Sequence, residues 1–203
     1  MKKVIVIGCP GSGKTTFAEK LRDKTGLPLY YLDAIWHRSD RTHISREDFD
    51  ARIKEIFAED EWIIDGNYSR TVDGRIIAAD TVFLFDLPTE VCLQGAIDRL
   101  GKQRYDVPWV DRELDPKFRE EIERFANNKL PEIYNFLEKH GQNKNIVVFK
   151  TRRCRQIYLC NIKPRRFWRR GYAFISKISS YISVRIRHNR ALGRSYMIQT
   201  TVP

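Results

Sequence analysis

Short apolar runs alternate with helical spacings along most of this chain. Apolar runs mark strands at 3–7, 28–32, 61–64, 80–85 and 145–149, and Val4-Ile5-Val6-Ile7 in the first reads as a buried strand. Between them the apolar period lengthens. One helix begins with Thr16-Phe17-Ala18-Glu19-Lys20-Leu21-Arg22. A second opens on Ser45-Arg46-Glu47-Asp48, an S-x-x-[DE] start, and carries Phe49, Ile53, Ile56 and Phe57 on one face. A third follows Asp86-Leu87-Pro88, with Thr89 as the expected N-cap and Val91, Leu93, Ala96, Ile97 and Leu100 apolar. A long helical region from about Pro116 to Lys139 closes the body, with a break expected near Pro131. Strands alternating with helices predict an α/β fold, a parallel sheet with helices on both faces.

The loop between the first strand and the first helix carries the strongest chemistry. Gly8-Cys9-Pro10-Gly11-Ser12-Gly13-Lys14-Thr15 fits G-x-x-x-x-G-K-[ST] in a strand–loop–helix setting, the context that identifies a P-loop. Its glycines let successive N–H groups turn onto phosphate oxygens, and the helix N-terminus adds positive potential. Gly8, Pro10, Gly11, Ser12, Gly13, Lys14, Thr15 and Thr16 are the expected nucleotide-binding residues. Lys14 would reach the outer phosphates of ATP, and the Thr15 hydroxyl would ligate Mg²⁺.

Composition sets limits on this reading. At 42% hydrophobic and 12% aromatic residues, the 203-residue chain has the make-up of a globular domain. No apolar run approaches the length of a membrane span. Cys9, Cys92, Cys154 and Cys160 have neither CxxC nor Cys/His spacing, so reduced thiols in a cytoplasm are expected. The net charge of +11 is unevenly distributed: residues 1–138 hold all 26 acids and 21 of the 37 basic residues, and residues 139–203 hold the other 16.

Triphosphate binding alone leaves the reaction open, and the remaining polar residues must decide it. Trp62-Ile63-Ile64-Asp65 is an apolar strand ending in a carboxylate, where a Mg²⁺ held by Thr15 needs a second partner; Asp86 ends the next strand in the same way and is its rival. Asp33 follows the second strand and could accept a proton from a substrate hydroxyl or fix a ribose. Arg38, Arg41 and Arg70 are expected in loops beside these strand ends, where arginine forks suit an acceptor's phosphate or carboxylate, and Arg38 and Arg70 are the expected acceptor-binding pair. Arg99, Lys102, Arg104 and Arg112 cluster around Gly101 and Pro108, which reads as a lid over about 99–116. In it, Arg99 and Arg104 would neutralise charge on the transferring phosphoryl group. His37 and His43 read as loop residues, and Trp36, Trp109 and Tyr30-Tyr31 as packing residues rather than base-stacking platforms.

Taken together, Gly8 to Thr15, Leu32-Asp33, Trp62 to Tyr68, Phe85-Asp86-Leu87-Pro88, Arg104 to Trp109 and Val147 to Arg152 resemble small bacterial P-loop proteins known as "DNA topology modulation" proteins, which look like adenylate kinases. The resemblance covers roughly residues 1–160. It implies the nucleoside-monophosphate-kinase fold, with a five-stranded parallel sheet of order 2-3-1-4-5 and a lid. Within that fold Asp65-Gly66 aligns with the Asp-Gly of the D-G-F-P-R motif, which implies a magnesium role for Asp65. Asn67-Tyr68-Ser69-Arg70 then displaces that motif's arginine by one position, and the lid has no four-cysteine cluster.

From Asn161 onward the chain departs from this resemblance. Lys163, Arg165, Arg166, Arg169 and Arg170 flank Phe167 and Trp168, and residues 163–194 could contact nucleic acid or an anionic membrane surface. Tyr172 to Arg187 has helical spacing, a strand reading is nearly as good, and a disordered extension is the third option. The expected activity is an ATP- and Mg²⁺-dependent kinase whose phosphoryl acceptor is a small molecule: a nucleotide, a nucleoside or a hydroxyl metabolite. A regulatory ATP-binding protein that engages nucleic acid through its tail is the alternative.

Overall fold

The computed structural model describes residues 1–162; the tail readings beyond them, including the contact surface at 163–194, lie outside the described residues. Five parallel strands form one sheet of order β2-β3-β1-β4-β5, as the resemblance implies. They are β1 (Lys3–Gly8), β2 (Leu29–Tyr31), β3 (Trp62–Asp65), β4 (Thr81–Phe85) and β5 (Asn145–Phe149). Every residue of β3 and β4, and all of β1 after Lys3, is buried. A strand with no exposed side must be covered on both faces, which is why these segments read as continuous apolar runs.

Among the described residues seven helices supply the cover: α1 (Lys14–Thr25), α2 (Leu32–Trp36), α3 (Arg46–Ala58), α4 (Ser69–Ala78), α5 (Thr89–Ile97), α6 (Pro116–His140) and α7 (Arg152–Asn161). Ser45 caps α3 as expected, its hydroxyl accepting from the Asp48 N–H at 3.0 Å. Phe17 fastens α1 to the sheet, with ring centroids 4.8 Å from Phe83, 5.4 Å from Phe85 and 5.3 Å from Phe149. Each such pair contributes roughly 0.5–1.5 kcal/mol beyond its buried area. Because Phe17 lies one turn after Lys14, this cluster also fixes the start of the helix and the loop before it.

Some expectations are corrected. Thr89 is the first residue of α5 rather than its cap; Pro88, with φ −54° and ψ 144°, takes the cap position, and its carbonyl accepts the first helical bond from Cys92. No break occurs at Pro131, and α6 runs unbroken for 25 residues. Asn127, whose carbonyl loses its partner there, and Pro131 both face solvent, while Ile122, Phe125, Ile133 and Leu137 hold the opposite face in the core. Arg70 lies in the first turn of α4, not in a loop. The five-residue α2 begins at Leu32, so Asp33 is helical.

The parallel register decides what meets at the sheet's C-terminal edge. Val6 of β1 lies beside Asp65 of β3 and Phe83 of β4, and Tyr31 of β2 lies beside Asp65. Gly8, two residues beyond Val6, therefore starts the P-loop next to the turn that follows Asp65. This edge is where ligands collect in open α/β sheets.

Candidate active site

The P-loop wraps from the end of β1 onto the N-terminus of α1. Gly13 is the N-cap with left-handed backbone (φ 87°), and Ser12 N–H closes the loop on the Cys9 carbonyl at 3.3 Å. Gly11 also has positive φ (76°), and a Cβ there would collide with the Cys92 carbonyl oxygen. Gly95 mirrors it, since a Cβ on that residue would strike the Gly11 carbonyl oxygen. The P-loop thus lies directly on α5, at an approach only glycine permits on each side. From the other side Arg155 of α7 donates to the carbonyls of Gly13 at 3.2 Å and Ser12 at 3.4 Å.

Pro10, Gly11, Gly13, Lys14, Thr15 and Thr16 form one wall of a cleft of about 830 Å³. Gly8 and Ser12 stand behind that wall. Gly8 N–H donates to the Asn67 Oδ1 at 3.0 Å, and Ser12 is fully buried. Asp33, Asp65, Arg99 and Arg104 line the same cleft, which joins the phosphate loop to the expected metal, acceptor and lid residues.

Lys14 Nζ donates to the Cys9 carbonyl at 2.9 Å, folded back along its own loop. Burial lowers its pKa, and the charges of Asp65, Cys9 and Asp33 act against that. Asp65 is 5% exposed, and desolvation pushes its carboxyl up to about 7, with Lys14 and a hydrogen bond from Thr15 pulling it down. Its Oδ1 is buried without a hydrogen-bond partner among the described residues. A buried carboxylate oxygen without a partner, on a group bonded to the P-loop threonine, fits a divalent cation held between Thr15 and Asp65. Asp86 does not line the cleft; it accepts from Tyr134 at 2.6 Å and pairs with Lys150.

Asp33 is organised by Tyr68, whose hydroxyl donates to Asp33 Oδ1 at 3.0 Å. Burial first, and the Asp33 charge second, raise the phenol's pKa, so it stays a donor. The loop bearing Tyr68 is fastened from below by Arg75, a fully buried guanidinium on α4 that donates to the carbonyls of Gly66, Asn67 and Tyr68. Desolvation pushes Arg75 down to about 9. One buried cation thus holds the turn that presents Asp65, Asn67 and Tyr68.

The segment from Asp98 to Asp115, between α5 and α6, contains neither helix nor strand. Gly101 N–H donates to the Asp111 carbonyl at 2.8 Å and closes it into a loop. Arg104 is held there by Asp106, a carboxylate only 3% exposed, with Asp111 at 3.8 Å. Arg99 lies over the Phe118 ring at 4.9 Å. Lys102 and Arg112 do not face the cleft.

Arg38 and Arg70 are not brought to the cleft. Arg70 pairs with Asp50 at 2.5 Å and donates to the Arg46 carbonyl, bridging α4 to α3. Arg41, the third of the arginines expected there, is brought to the cleft, and so are two residues that the sequence left as loop or packing positions. His37, Arg41 and Trp109 line the cleft, with Arg41 over the Trp109 ring at 5.4 Å and His37 edge-on to it at 5.2 Å. An antiparallel bridge between His37 and His43 closes the loop that carries Arg41. Lys129 on α6, also in the wall, donates to the Ser69 hydroxyl at 2.8 Å. Trp36 is a packing residue as expected, set against Phe49, Tyr68 and His43.

No protein-family model matches the chain, and no curated protein matches it in sequence. Among solved structures it is similar to a shikimate kinase from Acinetobacter baumannii in complex with shikimate, at TM-score 0.53 and 14% identity, covering 78% of this chain and 91% of that one. It is also similar to a gluconokinase from Sinorhizobium meliloti (TM-score 0.47, 14% identity, 84% and 98% covered). A sugar kinase from Janibacter gives TM-score 0.40 and 19% identity, with 78% and 90% covered. The first of these likenesses shows a shared fold. No helix among the described residues is long and apolar enough to cross a membrane.

Proposed function

We propose that this chain is an ATP-dependent kinase that phosphorylates a hydroxyl group of a small molecule. The observation that carries this reading is the cleft itself. A P-loop, a strand-end carboxylate with a partnerless oxygen, and a second carboxylate oriented by a tyrosine share one cleft. The first two suit a Mg²⁺–triphosphate, and the third suits a hydroxyl acceptor.

In this reading the P-loop N–H groups and Lys14 bind the β- and γ-phosphates, Lys14 leaving the Cys9 carbonyl to do so. Thr15 and Asp65 would hold Mg²⁺, which supplies charge neutralisation across the phosphates. Asp33, with Oδ1 engaged by Tyr68, turns its other oxygen to the acceptor hydroxyl. The acceptor oxygen forms a bond to the γ-phosphorus as the bond to the β–γ bridging oxygen breaks, and the hydroxyl proton passes to Asp33. ADP leaves with that bridging oxygen. Arg99 and Arg104 face the phosphoryl group from the lid segment, which excludes water as it closes. Little covalent work falls to the protein, since phosphoryl transfer is mainly positioning and charge stabilisation.

An adenylate-kinase subtype is the less supported form of this reading. Arg70, the arginine nearest the D-G-F-P-R position, is committed to Asp50. Contact with nucleic acid or membrane through the tail rests on residues outside those described. The test is ADP formation from Mg-ATP with and without a panel of hydroxyl compounds, in the native protein and in Lys14→Ala. Acceptor-stimulated turnover that disappears in the variant supports the kinase; a rate indifferent to every acceptor contradicts it.

A further inference from the structure

We infer that the acceptor is a hydroxyl compound bearing no anionic group, an inference that rests on the kinase reading above. Acidic side chains outnumber cationic ones along the cleft wall. The wall includes Glu121 and Glu132 of α6, and the Glu121 charge reaches the Tyr68 hydroxyl that binds Asp33. An acceptor phosphate or carboxylate loses its hydration on entering such a space and needs a cation in return.

Each cation in or beside the cleft already makes a contact of its own, Arg41 and Arg99 with rings and the others with polar groups. Lys14 belongs to the phosphate loop. Arg104 is held by Asp106 and Asp111. Lys129 donates to Ser69, and Arg41 lies at the exposed rim against Trp109. Arg99 packs on Phe118 beside the lid arginine. Arg70, the residue best matched in sequence to an acceptor clamp, is drawn away by Asp50 and the Arg46 carbonyl. Arg75 is spent on three backbone carbonyls. Toward the acceptor the wall offers hydrogen-bonding groups and rings instead: Asn67, Ser69, His37, Tyr68 and Trp109. That set suits a polyol, a nucleoside or an amino alcohol, whose hydroxyls bond to the polar groups while a ring or chain lies on the aromatic faces.

The experiment uses the full chain with Mg-ATP and matched pairs differing in one anionic group: adenosine against AMP, glucose against gluconate and glucose 6-phosphate, ethanolamine against serine. ADP formation gives kcat/KM for each member. The expected result is a preference of about tenfold or more for the member without the anionic group, in whichever pair is used. Equal use of both members, or preference for the anionic one, overturns this inference and leaves the kinase reading intact. A rate that no member of any pair raises overturns both together.

Discussion

Tyr68 reaches Asp33 from left-handed backbone, with φ 37° and an O···O distance of 3.0 Å. A bulky residue held in that conformation is strained, and the strain persists only where the surroundings impose it. Here Arg75 imposes it by binding the carbonyls on either side of the turn. The result is a carboxylate in the cleft wall with one oxygen occupied by Tyr68, an arrangement suited to receiving a proton on the other.

Asp33→Asn is therefore expected to lower acceptor kcat/KM by roughly 10²–10⁴-fold, the usual range for loss of a general base, with ATP affinity unchanged. Tyr68→Phe removes one hydrogen bond to a charged group and should cost about tenfold, again on the acceptor side. Steady-state kinetics with nucleotide titration separate these effects. Equal loss of ATP binding and acceptor use in Asp33→Asn would place the residue at the nucleotide instead.

Lys14→Ala should lower turnover by about a hundredfold or more, since it removes a preorganised charge at the transferring group. Circular dichroism should show the fold retained, because Phe17 and not Lys14 anchors α1. A variant turning over at near the native rate would contradict the assignment of the loop.

The titration of Asp65 gives a pH dependence with a definite sign. Its carboxyl titrates near 7 when folded, through burial, with Lys14 and Thr15 opposing that rise and Asp33 and Asp106 adding to it. Unfolded, it titrates near 4. Between those values the folded protein binds the extra proton, so this group's contribution to stability falls as pH rises from about 4 to about 7. Metal binding needs the ionised form. The thermal shift given by Mg-ATP should therefore grow from pH 6 to pH 8, and Asp65→Asn should abolish that growth while stabilising the ligand-free protein at pH 8. A Mg-ATP shift as large at pH 6 as at pH 8 would count against Asp65 as a ligand.

Gly95→Ala forces a methyl group against the Gly11 carbonyl. It should destabilise the fold by roughly 1–3 kcal/mol despite alanine's better helix propensity, and it should weaken nucleotide binding by moving the loop. Thermal melts and ATP titration read the two effects. A melt unchanged from the native protein would mean that α5 and the P-loop are free to separate.

The parts of this arrangement that were legible in the sequence are those written locally. The three central strands are near-continuous apolar runs, because both of their faces are covered. The P-loop and Asp65 each stand at the end of such a run. What was not legible depends on distance along the chain or on a disguised residue. α4 puts Val72, Arg75 and Ile76 inward, and a buried arginine in that row hides the apolar face. Arg155 binds carbonyls more than 140 residues away, which no spacing encodes. His37 and Trp109 enter the cleft only because a bridged loop and an irregular segment meet there. Arg70 carries the right chemistry near the right place, but Asp50 draws it off.

The most direct test of the central claim follows the phosphoryl group itself. Full-length protein is incubated with γ-³²P-labelled Mg-ATP and a mixture of small hydroxyl compounds, and the labelled products are separated. The account predicts label in an organic phosphate ester, formed by the native protein and lost in both Lys14→Ala and Asp33→Asn. Label appearing solely as inorganic phosphate, at a rate unaffected by the mixture, would contradict it and mark the cleft as that of an ATPase.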